Sequence, residues 1–102
     1  MDLIESRPEH PWTITELATS VGISVRSIED GFRRHVGISP MGYLRRCRLD
    51  RAHGDLREAS PATVTVGEVA YRWGFAHVGR FARAYRERFG QNPSETLRSL
   101  HP

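Results

Sequence analysis

The sequence has one cysteine, Cys47, no lysine, and no apolar run that approaches the length of a membrane span. A single cysteine cannot form an internal disulfide and is usual in a reducing cytosol. A membrane helix needs about 20 consecutive apolar residues, and the N-terminus has no signal-peptide core, so we expect a soluble, cytoplasmic protein without membrane contact. The sequence also has no glycine-rich phosphate loop and no nucleophile motif. We therefore predict neither an enzyme nor a cofactor.

Signals for metal or thiol chemistry are weak. The histidines do not have the spacing of metal ligands, so we predict no metal site. They are His10, His35, His53, His77 and His101. Cys47 falls on the apolar side of a predicted helix, and its neighbours Arg46 and Arg48 point to other faces, so no activated thiolate is indicated. An enzyme that uses Cys47 as an alkyl acceptor is an alternative that requires an exposed, reactive thiol.

The charge that is present is basic. The formal net charge is +3, because 15 arginines outnumber 12 carboxylates. Arginine makes bidentate hydrogen bonds to phosphates and to guanine edges, which favours nucleic acid as the partner. The 102 residues suffice for one compact domain, or for two very small ones.

The strongest pattern is an internal repeat. The offset between matched positions is 52 residues up to a glycine and 53 beyond it. The matched pairs are Thr13–Glu16 with Thr65–Glu68, Leu17-Ala18 with Val69-Ala70, Gly22 with Gly74, Ile28 with Phe81, Phe32 with Tyr85, Gly37 with Gly90, and Ser39-Pro40 with Asn92-Pro93. Each half begins with the Thr-x-x-Glu pattern of a helix capping box and turns at a glycine. Each half therefore predicts a helix-turn-helix, with Val21 among the core residues of the first helix.

The segment between the repeats predicts one long helix. Ser39 is an N-cap and Pro40 suits the first helical position, so the helix should run from Pro40 to about Ala59 and bend or fray near Gly54. Its apolar positions have mostly helical spacing and are Met41, Leu44, Cys47, Leu49, Ala52 and Leu56. We predict an all-α fold of two helix-turn-helix subdomains, residues 1–38 and 60–102, joined by a linker helix over residues 39–59.

The second helix of each repeat has the pattern of a DNA-recognition helix. In the second half, an apolar face of Val78, Phe81, Tyr85 and Phe89 lies opposite exposed arginines, as in helices that enter a major groove. The candidates for base contacts are Arg26, Glu29, Asp30, Arg80 and Arg83. The candidates for phosphate contacts are Arg33, Arg34, Arg46, Arg72, His77 and Arg86. Simple solvation is an equal alternative for Arg34, Arg46, Arg72 and Arg86, and an ordinary exposed histidine is the favoured alternative for His77.

These motifs resemble the DNA-binding domain of the AraC/XylS family of bacterial transcription regulators. The resemblance covers roughly residues 12–98 and is most specific in the second half. Its motifs are Leu17-Ala18, Gly22, Ser24, Phe32, Gly37-Ile-Ser-Pro40, Tyr43, Arg48-Leu49 and Ala52, then Val69-Ala70, Gly74-Phe75, Phe81, Arg83, Tyr85, Phe89-Gly90 and Asn92-Pro93.

The resemblance implies sequence-specific binding to duplex DNA, with two recognition helices in successive major grooves, and regulation of transcription, as an activator or as a repressor. RNA polymerase is a further candidate partner. The resemblance also implies a separate effector-binding or dimerisation domain, which we do not expect in this chain. We expect the second unit to anchor the DNA, because Asp30 and Gly31 interrupt the arginine face of the first, whereas the arginine face of the second is uninterrupted.

Two alternatives stay open. Non-specific, architectural DNA binding would return no motif when a binding site is selected from random DNA. A helical protein-interaction module would show no salt-dependent affinity for DNA, whereas phosphate contacts make affinity fall steeply with salt.

Overall fold

The computed structural model describes residues 2–99, in which all regular secondary structure is α-helical. The predicted all-α fold is therefore confirmed. The helices are α1 (Asp2–Ser6), α2 (Ile14–Val21), α3 (Val25–His35), α4 (Pro40–Glu58), α5 (Val66–Arg72), α6 (Val78–Phe89) and α7 (Pro93–Ser99). The chain divides into two compact units, and the boundary between them falls at Cys47 and Arg48 within α4.

The first unit contains α1, α2, α3 and the N-terminal part of α4. Its buried core is made by Ile4, Trp12, Leu17, Ala18, Ile28, Phe32 and Leu44. The Trp12 indole donates a hydrogen bond to the carbonyl of Arg7 at 2.9 Å, which satisfies its one polar atom. The Tyr43 hydroxyl donates to the Glu5 carboxylate, and this hydrogen bond raises the pKa of Tyr43 to about 12. These contacts tie α1 and α4 to the core that supports α3.

The turn between α2 and α3 depends on Gly22. Gly22 has φ 75°, the left-handed conformation that side chains disfavour, and its N–H closes α2 on the carbonyls of Ala18 and Thr19. At the other end of α2, the Thr13 hydroxyl accepts from the backbone N–H of Glu16 at 3.0 Å. Among the contacts described for residues 2–99, the Glu16 carboxylate lies 2.9 Å from His10 Nε2 and not on the Thr13 backbone. The capping box predicted at Thr13–Glu16 is therefore only half formed.

The second unit packs α5, α6 and α7 against the C-terminal part of α4. Its buried core is made by Leu49, Ala52, Leu56, Val69, Ala70, Phe81, Ala84, Tyr85 and Leu97. Here the predicted capping box is complete: Thr65 accepts from the Glu68 N–H at 3.1 Å, and the Glu68 carboxylate accepts from the Thr65 N–H at 3.1 Å. The start of α5 is thus fixed locally, as the sequence predicted.

A polar network lies inside this second core. Tyr85 is fully buried, and its hydroxyl donates to Thr96 Oγ1 at 2.8 Å and lies 2.6 Å from His53 Nδ1. The His53 ring stacks on Phe89 with centroids 4.1 Å apart. Burial lowers the pKa of His53 and raises that of Tyr85, because each charged form would lose solvation. Tyr85 therefore connects α6 to both α4 and α7.

The sequence misplaces three residues at helix ends. Val21, Val78 and Met41 were predicted to face the core, but they are 52%, 47% and 38% exposed. Each lies in the first or last turn of its helix. The expected fraying near Gly54 does not occur, since α4 is helical through that residue to Glu58.

Candidate nucleic-acid interface

In the first unit, α3 is held from one side and exposed on the other. Ser24 caps its start by accepting from the Ser27 N–H at 3.1 Å, and Ile28 and Phe32 anchor it in the core. The predicted base-contacting residues Arg26, Glu29 and Asp30 are all exposed on the helix. Two predicted phosphate contacts, Arg33 and Arg34, lie exposed in its last turn.

The exposed face of α3 carries an ion pair. Arg26 Nε lies 4.0 Å from Asp30 Oδ2, one helical turn further on, and the Arg26 side chain is 93% exposed. With both side chains more than half exposed, this is a weak, solvent-screened i,i+4 ion pair. The structure therefore brings two of the three base candidates of this unit together.

In the second unit, α6 has the same construction. Phe81, Ala84 and Tyr85 are buried, while Arg80, Arg83 and Arg86 are exposed on the helix. His77 is the N-cap residue, but within the described residues its side chain makes no capping hydrogen bond, so it stays exposed at the start of the helix.

The turn before α6 requires a glycine at position 74. Gly74 has φ 90°, and a Cβ there would lie 3.1 Å from the Arg48 guanidinium carbon. The Arg48 side chain thus packs against the turn that sets the direction of α6 relative to α5.

A carboxylate that the sequence reasoning missed lies beside Arg83. Glu87 Oε1 is 3.4 Å from Arg83 Nε, and the two side chains are 67% and 78% exposed. The expectation that the second recognition helix has an uninterrupted arginine face is therefore wrong. The spacing of four residues between Arg83 and Glu87 was the signal that would have found this pair.

Two other arginines are engaged within the second unit. Arg72, a predicted phosphate contact, donates to Asp55 Oδ2 at 2.8 Å, and the same oxygen accepts from the Trp73 indole at 2.7 Å. Arg88 holds Asp50 with two hydrogen bonds, from Nε at 2.7 Å and from Nη2 at 3.0 Å. Arg72 keeps half of its side chain exposed. Arg46, the last phosphate candidate, is exposed on α4 in the first unit.

Other kinds of site have little support in the described residues. Between residues 2 and 99, no group of three or more His, Cys, Asp or Glu side chains is placed to hold a metal ion. In the same range, none of the helices combines the length and the apolar character needed to cross a bilayer. Cys47 is half-buried on α4, packed against the first core. The exposed faces of α3 and α6 are therefore the candidate interface.

Comparison with known proteins identifies a helix-turn-helix domain in this chain. A family model described as "Helix-turn-helix domain" matches residues 17–99. The probable thc operon regulatory protein of Rhodococcus erythropolis is 45% identical over 100 residues, which cover 98% of this chain and 30% of that protein. The XylDLEGF operon transcriptional activator 2 of Pseudomonas putida is 37% identical over 101 residues, which cover 99% of this chain and 64% of that protein.

A solved structure is similar over nearly the full chain. The crystal structure of a probable AraC family transcriptional regulator from Rhodopseudomonas palustris CGA009 is 43% identical, with a TM-score of 0.91, and the match covers 99% of this chain and 93% of the other. The chain spans less than two thirds of the length of both curated relatives. The matched proteins are transcription regulators by name, and none of these three is named as an enzyme.

Proposed function

The chain belongs to the AraC family of helix-turn-helix transcription regulators, and from that membership we propose that it binds duplex DNA sequence-specifically through α3 and α6. The observation that carries the proposal is the repeated construction of these two helices. Each is anchored by buried residues on one face, Phe32 in α3 and Tyr85 in α6, and presents exposed arginines on the other. A helix of this kind, entered from a tight turn, fits the major groove.

The proposed contacts divide into two kinds. Base edges are read by Arg26, Glu29, Asp30, Arg80 and Arg83, and phosphates are held by Arg33, Arg34, Arg46, Arg72, His77 and Arg86. Arginine suits guanine, whose O6 and N7 accept two parallel hydrogen bonds, and a carboxylate suits the cytosine amine. Because Asp55 already holds Arg72 at Nη1, the phosphate contact of Arg72 uses its remaining donors.

We further propose that the two helices enter successive major grooves on one side of the duplex. Helix α4 has 19 residues. At ~1.5 Å per residue this gives a length of about 28 Å, comparable with the roughly 34 Å between successive grooves. One chain would then read both half-sites.

Regulation is the second part of the proposal. One relative is named as a transcriptional activator, and we propose activation here too, with RNA polymerase as a partner in the bacterial cytoplasm. Because the curated relatives extend well beyond the matched segment, we propose that effector binding or dimerisation resides in their additional residues.

Replacing Arg83 tests the reading of bases. We expect Arg83→Ala to weaken binding to a duplex selected by the wild-type protein by about 5- to 150-fold more than binding to random duplex, the equivalent of one bidentate base contact. Arg98→Ala, which removes an exposed arginine from α7 instead, is the matched control and should leave the preference intact. Equal loss of affinity for both duplexes would make Arg83 a phosphate contact.

A further inference from the structure

The two recognition helices share an arrangement that the proposed function does not require. In each, an exposed arginine lies one helical turn before a carboxylate, and in each the carboxylate is nearest the arginine Nε. The distances are 4.0 Å from Arg26 Nε to Asp30 and 3.4 Å from Arg83 Nε to Glu87. The pairs do not occupy equivalent positions of the repeat, since Glu87 aligns with Arg34 and not with Asp30. The same contact therefore arises at two different registers.

Contact at Nε has a chemical consequence. A guanidinium has five N–H donors, and a carboxylate at Nε leaves both Nη groups open. Those two groups can donate in parallel to guanine O6 and N7. A carboxylate at this position therefore restricts the directions in which the guanidinium points. It leaves the Nη N–H groups available to donate to a base.

The carboxylate also opposes binding to phosphate alone. A negative charge beside the arginine offsets its attraction to the DNA backbone, which supplies most of the non-specific affinity. Since affinity scales with salt concentration to the power of about −0.9 for each phosphate neutralised, one lost contact costs up to about eightfold at ~0.1 M salt. The same arginine can still donate two parallel hydrogen bonds to a guanine, so its contribution to base reading is retained.

We propose that Glu87 is a positioning residue that raises the sequence specificity of α6 by pairing with Arg83 at Nε. The proposal rests on the DNA binding proposed above and adds a residue outside the predicted site. A purely stabilising role is a poor explanation, because both partners are largely exposed, and surface pairs of this kind contribute little to folding.

The test is Glu87→Gln in the full chain, measured against two probes: a duplex that the wild-type protein selects from random DNA, and a random duplex. We expect random duplex to bind about three- to eightfold more tightly, with a salt dependence steeper by up to about 0.9, and the selected duplex to bind no more tightly. The ratio of the two affinities should fall at least about threefold. Thermal unfolding should match the wild type.

The matched control is Glu58→Gln, which removes the same charge from an exposed residue at the end of α4. It should leave the affinity ratio unchanged. A ratio that Glu87→Gln also leaves unchanged would overturn the proposal, because Glu87 would then act only through net charge.

A double-mutant cycle shows whether Glu87 acts through Arg83. In an Arg83→Ala background, Glu87→Gln should no longer lower the affinity ratio, and in the wild-type background Glu87→Asp should restore part of it. A Glu87→Gln effect that persists without Arg83 would contradict the positioning role. A wild-type protein that does not distinguish the two duplexes would overturn the proposed function itself, which is a separate result.

Discussion

Removing the Tyr85 hydroxyl is a sharp test of how α6 is supported. Tyr85→Phe deletes one oxygen from a fully buried side chain and leaves the ring in place. That oxygen contacts His53 Nδ1 at 2.6 Å and Thr96 Oγ1 at 2.8 Å, so the substitution breaks the link from α6 to α4 and to α7 together.

The expected cost follows from those two hydrogen bonds. Each contributes about 0.5–1.5 kcal/mol net, so the loss should be about 1–3 kcal/mol. A small domain loses roughly 4–8 °C of Tm per kcal/mol.

Urea and thermal unfolding measure this cost, and amide hydrogen exchange locates it. We expect amides of α6 and α7 to lose protection, while those of α2 and α3, in the other unit, keep theirs. Tyr71→Phe is the matched control, because Tyr71 is 79% exposed and should change stability by less than about 0.5 kcal/mol. If Tyr85→Phe lowers the free energy of unfolding as little as Tyr71→Phe does, the two hydrogen bonds of the Tyr85 hydroxyl do not stabilise the fold, and the reasoning is wrong.

Three further predictions, on pH, on glycine and on a helix cap, probe the same fold. Burial, reinforced by Arg57, holds the pKa of His53 below its ordinary 6.5, so the unfolded chain binds the proton more readily and stability falls as pH drops below that value. Between about pH 7 and about pH 5, the free energy of unfolding of the wild type should fall by up to ~1.4 kcal/mol per pH unit. His53→Gln should remove this loss, and an equal pH dependence in the two proteins would contradict the prediction. Gly74→Ala should cost about 1–2 kcal/mol at its positive φ, whereas Gly79→Ala, a helical glycine with open space around its Cβ, should gain about 0.5–1 kcal/mol. Ser24→Ala should lower the stability of the first unit by about 1 kcal/mol in thermal unfolding, since it removes the N-cap of α3; an unchanged Tm would show that the cap contributes nothing.

The sequence predicts the helices well because their signals are local. Caps such as Thr65 and Ser24 act within three residues, and the apolar spacing of Ile28 with Phe32, or Phe81 with Tyr85, reports directly which face is buried. Helical periodicity, however, predicts a buried face along the whole length of a helix. At the helix ends this prediction is wrong, because Val21, Val78 and Met41 are exposed.

The contacts that sequence reasoning misses join residues that are distant in the chain. Arg72 donates a hydrogen bond to Asp55, which is 17 positions away in the sequence, and Arg88 donates to Asp50, which is 38 positions away. Both pairs depend on how α4, α5 and α6 pack, which no local pattern encodes. Glu87 is different, because it lies one helical turn from Arg83 and the i,i+4 spacing alone predicts the pair. A prediction based only on the arginines does not include it.

Selection of a binding site from random duplex DNA tests the central claim most directly. We expect an enriched motif with two half-sites roughly 10–10.5 bp apart, one for each recognition helix, and an affinity for it that falls steeply as salt rises. A single half-site would contradict reading by both helices. A pool that returns no motif would contradict sequence-specific binding altogether.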